Sequence, residues 1–142
     1  KINESKNAQL FHQDYCCPTL VNIFICLNDI TEENGPHVFI KNSFKNMSDE
    51  IRQTYKPGLR IPNNIINKYF DSNDIITHIC NAGDIIIENT LNIHSGSNPL
   101  KNYREILQIG FTNNSFPYYK CYEKTNSKEQ RNLIKQFKDI LN

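Results

Sequence analysis

Five short runs of β-branched and aromatic residues, none longer than eight residues, constrain this chain most. They read "LVNIFICL" (20–27), "HVFIK" (37–41), "DIITHIC" (74–80), "IIIEN" (85–89) and "REILQIGF" (104–111). Residues of this kind fit the pleated, half-buried surface of a sheet. Clusters of Asn, Asp, Gly and Pro punctuate the runs, as in "NDITEENGP", "NAGD" and "HSGSNP". Gly supplies the positive φ that tight turns need, and Pro and Asx residues start turns. Short strands separated by such turns predict an all-β sandwich or barrel.

Other segments modify that picture. Residues 42–50, "NSFKNMSDE", read as polar and turn-like, and 48–62 as an irregular insertion holding two prolines and one glycine. "NNIINKYF" (63–70) suits one short helix. "HSGSNP" (94–99) has loop chemistry. Near the end, Leu133, Ile134, Phe137, Ile140 and Leu141 recur at helical spacing, and Ser127 and Gln130 form a start signal. A peripheral helix at about 127–141 is expected on the outside of the β structure. With 142 residues, the chain is expected to form a single domain, 1–142.

The net charge of +1 gives no electrostatic reason to expect nucleic acid or an acidic membrane as partner. No apolar stretch approaches the roughly 18 residues of a membrane span. "KINESKNAQL" lacks the apolar centre of a signal peptide. The five cysteines are odd in number and hold no C-x-x-C pair, so they are expected to be reduced thiols in a cytoplasmic protein. No obligate protein partner is expected.

The chemistry concentrates in "FHQDYCC". In an extended segment, residues i and i+2 share a face, so His12 and Asp14 project side by side. Such a pair is half of a metal site, or a surface ion pair. A second histidine, His94, follows about eighty residues on, and Arg104 heads the strand "REILQIGF". Two imidazoles and one carboxylate on one face suit Fe(II) and leave positions free for a chelating cosubstrate and O2. An arginine beyond them can hold a carboxylate through a two-pronged hydrogen bond. These are the parts needed to bind 2-oxoglutarate. His37 and His78, with no carboxylate two residues away, are expected to face strand neighbours or solvent.

In this ordered combination the chain resembles the phytanoyl-CoA dioxygenase family of Fe(II)/2-oxoglutarate dioxygenases. The matching pieces are "HQD" (12–14), "LNDITEENGPHVFIKNSF" (27–44), "AGDIIIENTLNIHSGSNP" (82–99) and "REILQIGF" (104–111). The resemblance implies a double-stranded β-helix, a cupin-like jelly-roll, of which this chain is the C-terminal portion. It implies His12, Asp14 and His94 as iron ligands and catalytic centre, and Arg104 as anchor for the far carboxylate of 2-oxoglutarate. It sets Phe24 and Asn22 facing the cosubstrate, Ser95 and Ser97 where a hydroxyl assists the arginine, and Gln13 in the wall of the substrate pocket. The implied reaction hydroxylates a small or lipid-like substrate while 2-oxoglutarate becomes succinate and CO2. Two alternatives use the same residues differently: a zinc hydrolase or isomerase on a β-barrel, which has no need of Arg104, and a non-catalytic jelly-roll binding module.

Overall fold

The computed structural model describes residues 7–14 and 21–111. The expected helix at 127–141 and the cysteines Cys16, Cys17 and Cys121 lie outside the described residues. Among the described residues, eight strands form two antiparallel sheets. The first has five strands: β1 (Phe11–His12), β3 (His37–Ile40), β4 (Arg60–Ile61), β5 (Ile75–His78) and β7 (His94–Gly96), in the order β4-β1-β7-β3-β5. The second has three: β2 (Val21–Cys26), β6 (Ile85–Asn89) and β8 (Ile106–Phe111), in the order β6-β2-β8. All five apolar runs became strands, and two facing sheets with few helices make a jelly-roll of the all-β class, the expected fold.

Two readings are corrected. The stretch 42–62 is not turn and irregular chain alone: it holds helices α1 (Ser43–Asn46) and α2 (Asp49–Thr54) and strand β4. Ser48 caps α2 by accepting from the Ile51 N–H, and Asp49 and Glu50 occupy the first turn, where negative charge suits the helix dipole. Pro57 and Pro62 fall outside the helix, so they do not break it. The second correction is His94–Gly96. Its polar composition suggests a loop, yet it forms β7, held between β1 and β3. The expected helix at 63–70 is α3 (Asn63–Tyr69).

The main apolar core lies outside the sandwich rather than between its sheets. Ile40, Ile61 and Ile93, contributed by β3, β4 and the residue before β7, pack with Met47, Ile51 and Ile66 of the helical segment. All six are buried. Phe11 packs on the same cluster from β1. Because side chains alternate along a strand, burying Phe11 and Ile93 on this side turns His12 and His94 to the other. The chain before β7 is further held from α1, where the Ser43 hydroxyl accepts the Ile93 N–H at 2.7 Å.

In the second sheet, Asn22, Phe24 and Cys26 are buried on the inner face, with Glu88 opposite Asn22 in register. Burial and the nearby Cys80 thiol push Cys26 up to about 11, and both cysteines are free. No helix among the described residues is long and apolar enough to cross a membrane.

Candidate metal centre

His12 and His94 are direct partners across the antiparallel pair β1·β7. That register brings their rings together, centroids 4.4 Å apart and tilted 52° to one another. Asp14, two residues beyond His12, projects to the same side. Its Oδ1 stands 3.7 Å from Nε2 of His12 and 3.7 Å from Nε2 of His94. One ligand atom from each of the three residues lies within 4.8 Å of the others. The two histidines are buried and Asp14 is partly exposed, which leaves one open side.

The proton positions on the rings follow from the second partners. His12 Nδ1 lies 2.8 Å from the carbonyl of Leu10, and His94 Nδ1 lies 2.9 Å from the carbonyl of Asn92. A carbonyl only accepts, so each Nδ1 carries a proton, and the tautomer of the neutral ring is the one that offers its Nε2 lone pair. The same device, a carbonyl two residues back, therefore aims both nitrogens at Asp14. Fixing ring and tautomer in this way is the usual support of a metal-binding imidazole. Burial holds His12 below its ordinary range, and the neighbouring His94 pushes the same way, so the ring is neutral at physiological pH. Asn22 reaches across from β2 and donates through Nδ2 to Asp14 Oδ2 at 3.4 Å, leaving Oδ1 turned toward the imidazoles.

This donor set fits a divalent cation. Two neutral nitrogens and one carboxylate oxygen on one side, with the rest open, are the donors of a facial Fe(II) triad.

Arg104 stands just before β8, partly buried, and donates through Nη1 to the carbonyl of Gly35. Burial lowers its affinity for its proton. Among the described residues it forms no ion pair with a carboxylate. Three residues that sequence reasoning missed hold it there. Gly96, two residues past His94, offers bare backbone against the guanidinium: a Cβ at that position would meet Nη2 and stand 3.3 Å from Cζ. Gly35, at φ 73°, closes the turn after Glu32–Asn34, and a Cβ there would stand 2.7 Å from the Pro99 nitrogen. Asn34 caps that turn through the Thr31 N–H and donates to the Tyr103 carbonyl at 3.1 Å, tying the turn to the residue before Arg104. The "TEENG" stretch is thus a bracket for the arginine. The clue in the sequence was glycine at both 35 and 96.

The remaining candidates sit as follows. Phe24 is buried on the inner face of β2, its ring centroid 5.1 Å from that of His37. Gln13 points away from its neighbours His12 and Asp14 and donates to the Leu91 carbonyl, while its own carbonyl accepts the Gly58 N–H. Ser95 alternates to the face of β7 opposite His94 and Gly96, buried beside Val38 in register. Ser97 gives its backbone N–H to the Pro36 carbonyl. His37 faces inward and meets Glu88, Nε2 to Oε2 at 2.6 Å, a pairing across the two sheets that no local pattern signals. His78 stacks on Phe39 and on His37, as expected of a strand residue facing its neighbours.

No curated protein matches this sequence. The family model for phytanoyl-CoA dioxygenase (PhyH) matches residues 3–99, about two thirds of the chain and a span that contains His12, Asp14 and His94. The matched span covers seven of the eight described strands, and the three donors it carries suit a divalent metal such as iron. The chain belongs to the phytanoyl-CoA dioxygenase family, within the Fe(II)/2-oxoglutarate dioxygenase superfamily.

Proposed function

We propose that this chain is an Fe(II)/2-oxoglutarate-dependent hydroxylase of a small-molecule substrate, with His12, Asp14 and His94 holding the iron. The observation that carries the reading is the combination of a three-donor face with a partly buried guanidinium that has no carboxylate partner among the described residues. A guanidinium in that state is a seat for an anion, and the two-pronged match to a carboxylate is its strongest use.

Bound ferrous iron would supply oxygen activation coupled to the conversion of 2-oxoglutarate to succinate and CO2. The protein's residues prepare the rest. The two Nδ1–carbonyl bonds fix the tautomer in which the neutral ring offers Nε2, and aim both Nε2 atoms at Asp14. Asn22 restrains the carboxylate of Asp14 in the orientation that turns Oδ1 inward. Arg104 receives the far carboxylate of the cosubstrate, with Gly96 giving the clearance that lets the guanidinium lie where it does. Phe24 and His37 form a ring-lined wall that keeps water from the interior on the side of β2 and β3. The substrate enters over the partly exposed side of Asp14.

Anaerobic addition of Fe(II) and 2-oxoglutarate tests the reading, because the chelate has a weak visible charge-transfer band. His12→Ala should lose iron. Arg104→Ala should keep iron but bind 2-oxoglutarate at least about tenfold more weakly, roughly 1.4 kcal/mol. Unchanged cosubstrate affinity in Arg104→Ala would remove that residue's role. Absence of the band together with absence of succinate in air would remove the function.

A further inference from the structure

The two imidazoles of the centre are not supported alike. Both give an Nδ1–H to a carbonyl two residues back, Leu10 for His12 and Asn92 for His94. Behind His94 stands a carboxylate as well: Glu88 Oε1 lies 3.8 Å from its Nδ1. Among the described residues no carboxylate pairs with Nδ1 of His12.

Glu88 reaches this position from the other sheet. It is buried on β6, opposite Asn22 of β2 in register. Asn22 donates to Asp14. Two paired strands of the three-stranded sheet thus extend one side chain each toward two different donors of the centre.

The carboxylate is short of partners. Its Oε2 is met by His37 Nε2 at 2.6 Å. Its Oε1 is sealed from solvent and takes no hydrogen bond among the described residues. No lysine or arginine there pairs with Glu88. Water does not reach Oε1, so a donor has to come from the protein, and His94 Nδ1 is at hand. A buried carboxylate in this state is costly. A divalent cation on the far side of the His94 ring lowers that cost in two ways. Its pull through Nε2 makes Nδ1–H a stronger donor, and its charge offsets that of the carboxylate.

We propose that Glu88 is a positioning residue of the metal centre, which strengthens cation binding by acting through the imidazole of His94. The inference rests on the reading of His12, Asp14 and His94 as metal ligands. In the loaded protein the Nδ1–H of His94 is shared between the Asn92 carbonyl and Glu88 Oε1, while His37 keeps the other oxygen in place. His94 is then the more basic of the two nitrogen donors.

Charge and packing make opposite predictions for two variants. Glu88→Gln keeps the size of the side chain and loses its charge. Glu88→Asp keeps the charge and loses a methylene. Calorimetric titration of the full chain with Mn(II) should show binding about tenfold weaker in Glu88→Gln. Glu88→Asp should keep most of the affinity. The Fe(III)/Fe(II) potential should rise in Glu88→Gln, because a buried negative charge favours the ferric ion, and stay closer to wild type in Glu88→Asp. Unchanged Mn(II) affinity in Glu88→Gln, or a larger loss in Glu88→Asp than in Glu88→Gln, would overturn the proposal. Histidine-ring NMR of the wild type with Zn(II) guards against variants that fail to fold. The Nδ1 proton of His94 should move further downfield on Zn(II) binding than that of His12, and equal shifts would overturn the proposal too. The affinity series is read on Mn(II) alone, so loss of the 2-oxoglutarate chelate band counts against the oxygenase reading and not against this one. A wild type that takes up no Mn(II) overturns both.

Discussion

The two faces of the five-stranded sheet carry opposite properties on the same strands. One face holds Ile40, Ile61 and Ile93 against α2 and α3. The other holds His12, His94, His37 and His78. Neighbouring residues divide the work: Phe11 packs outward and His12 faces inward, and Ile93 and His94 do the same. Because the period is two, a slip of one residue in β1 or β7 would bury a histidine in the isoleucine cluster and remove it from the three-donor face. The apolar face therefore fixes the register that aims the polar one. Stability and chemistry are then separable by substitution, provided each change stays on its own face.

The largest effect should come from the apolar face. Ile66 of α3 is fully buried in the cluster. Ile66→Ala removes packing that its neighbours only partly refill, at about 3 kcal/mol. Urea unfolding measures this. The folded fraction should keep its Mn(II) affinity, and a matching loss of metal binding would mean the faces are coupled more tightly than their geometry indicates.

On the polar face, Asp14→Ala should do the reverse. It deletes the one oxygen that both imidazoles face. Metal affinity should fall at least about 100-fold, near 2.7 kcal/mol. Metal-free stability should barely move, because Asp14 is partly exposed and its bond from Asn22 is long, 3.4 Å. A melting temperature that drops as far as in Ile66→Ala would break the comparison.

The three residues whose ligand atoms meet were legible in the sequence because their signal is short-range or ordered: His12 and Asp14 by alternation, His94 by position after a strand-like run. The all-β class was legible because apolar runs and turn residues alternate, and the jelly-roll arrangement came from the family resemblance. What the sequence did not reveal depends on contacts made only in three dimensions. Gly96 matters because Arg104 lies against it, and Glu88 because His37 comes to it from the other sheet. The helix α2 was hidden by nearby prolines, although Ser48 followed by Asp49 and Glu50 is a start signal. Strand β7 was hidden because its three residues are an inward-facing histidine, a buried serine and a glycine under the arginine rather than apolar packing.

Gly96→Ala tests the clearance. The added methyl meets the Arg104 guanidinium, so the arginine must move while His94 stays in its strand. Cosubstrate affinity should drop about tenfold, 1.4 kcal/mol, with metal affinity retained. Titration of Mn(II)-loaded protein with 2-oxoglutarate separates the two quantities, and parallel losses in both would assign Gly96 to the strand rather than to the arginine.

A smaller effect is expected from pH. Burial depresses His12 and His78 in the folded protein. The unfolded chain then binds more protons as pH falls below the ordinary histidine value of about 6.5, so folding stability must fall in that direction. Above that value the two states bind equally few protons at these sites and the contribution is flat. Metal-free protein should melt several degrees lower at pH 5.5 than at pH 7.5, and His78→Phe should reduce the slope. A melting temperature independent of pH over this window would show that other groups cancel these two.

The smallest effect should come from the outer face of the three-stranded sheet, and it sharpens the contrast with the helix-covered face of the other sheet. Ile23, Ile87 and Ile109 are cross-strand neighbours there, flanked by Ile25 with Ile85 and Leu107. This layer is as apolar as the Ile40–Ile66 cluster, yet Ile87 is 69% exposed and no described element covers it. Ile87→Thr keeps a β-branched side chain and its preference for a strand while removing apolar surface. If the face is open to water, the change should cost no more than about 0.5 kcal/mol, as at other exposed positions. A cost near that of Ile66→Ala would show instead that something buries this face in solution. The same layer would then act as a second core, and the difference between the two sheets would lie in what covers them rather than in whether they are covered.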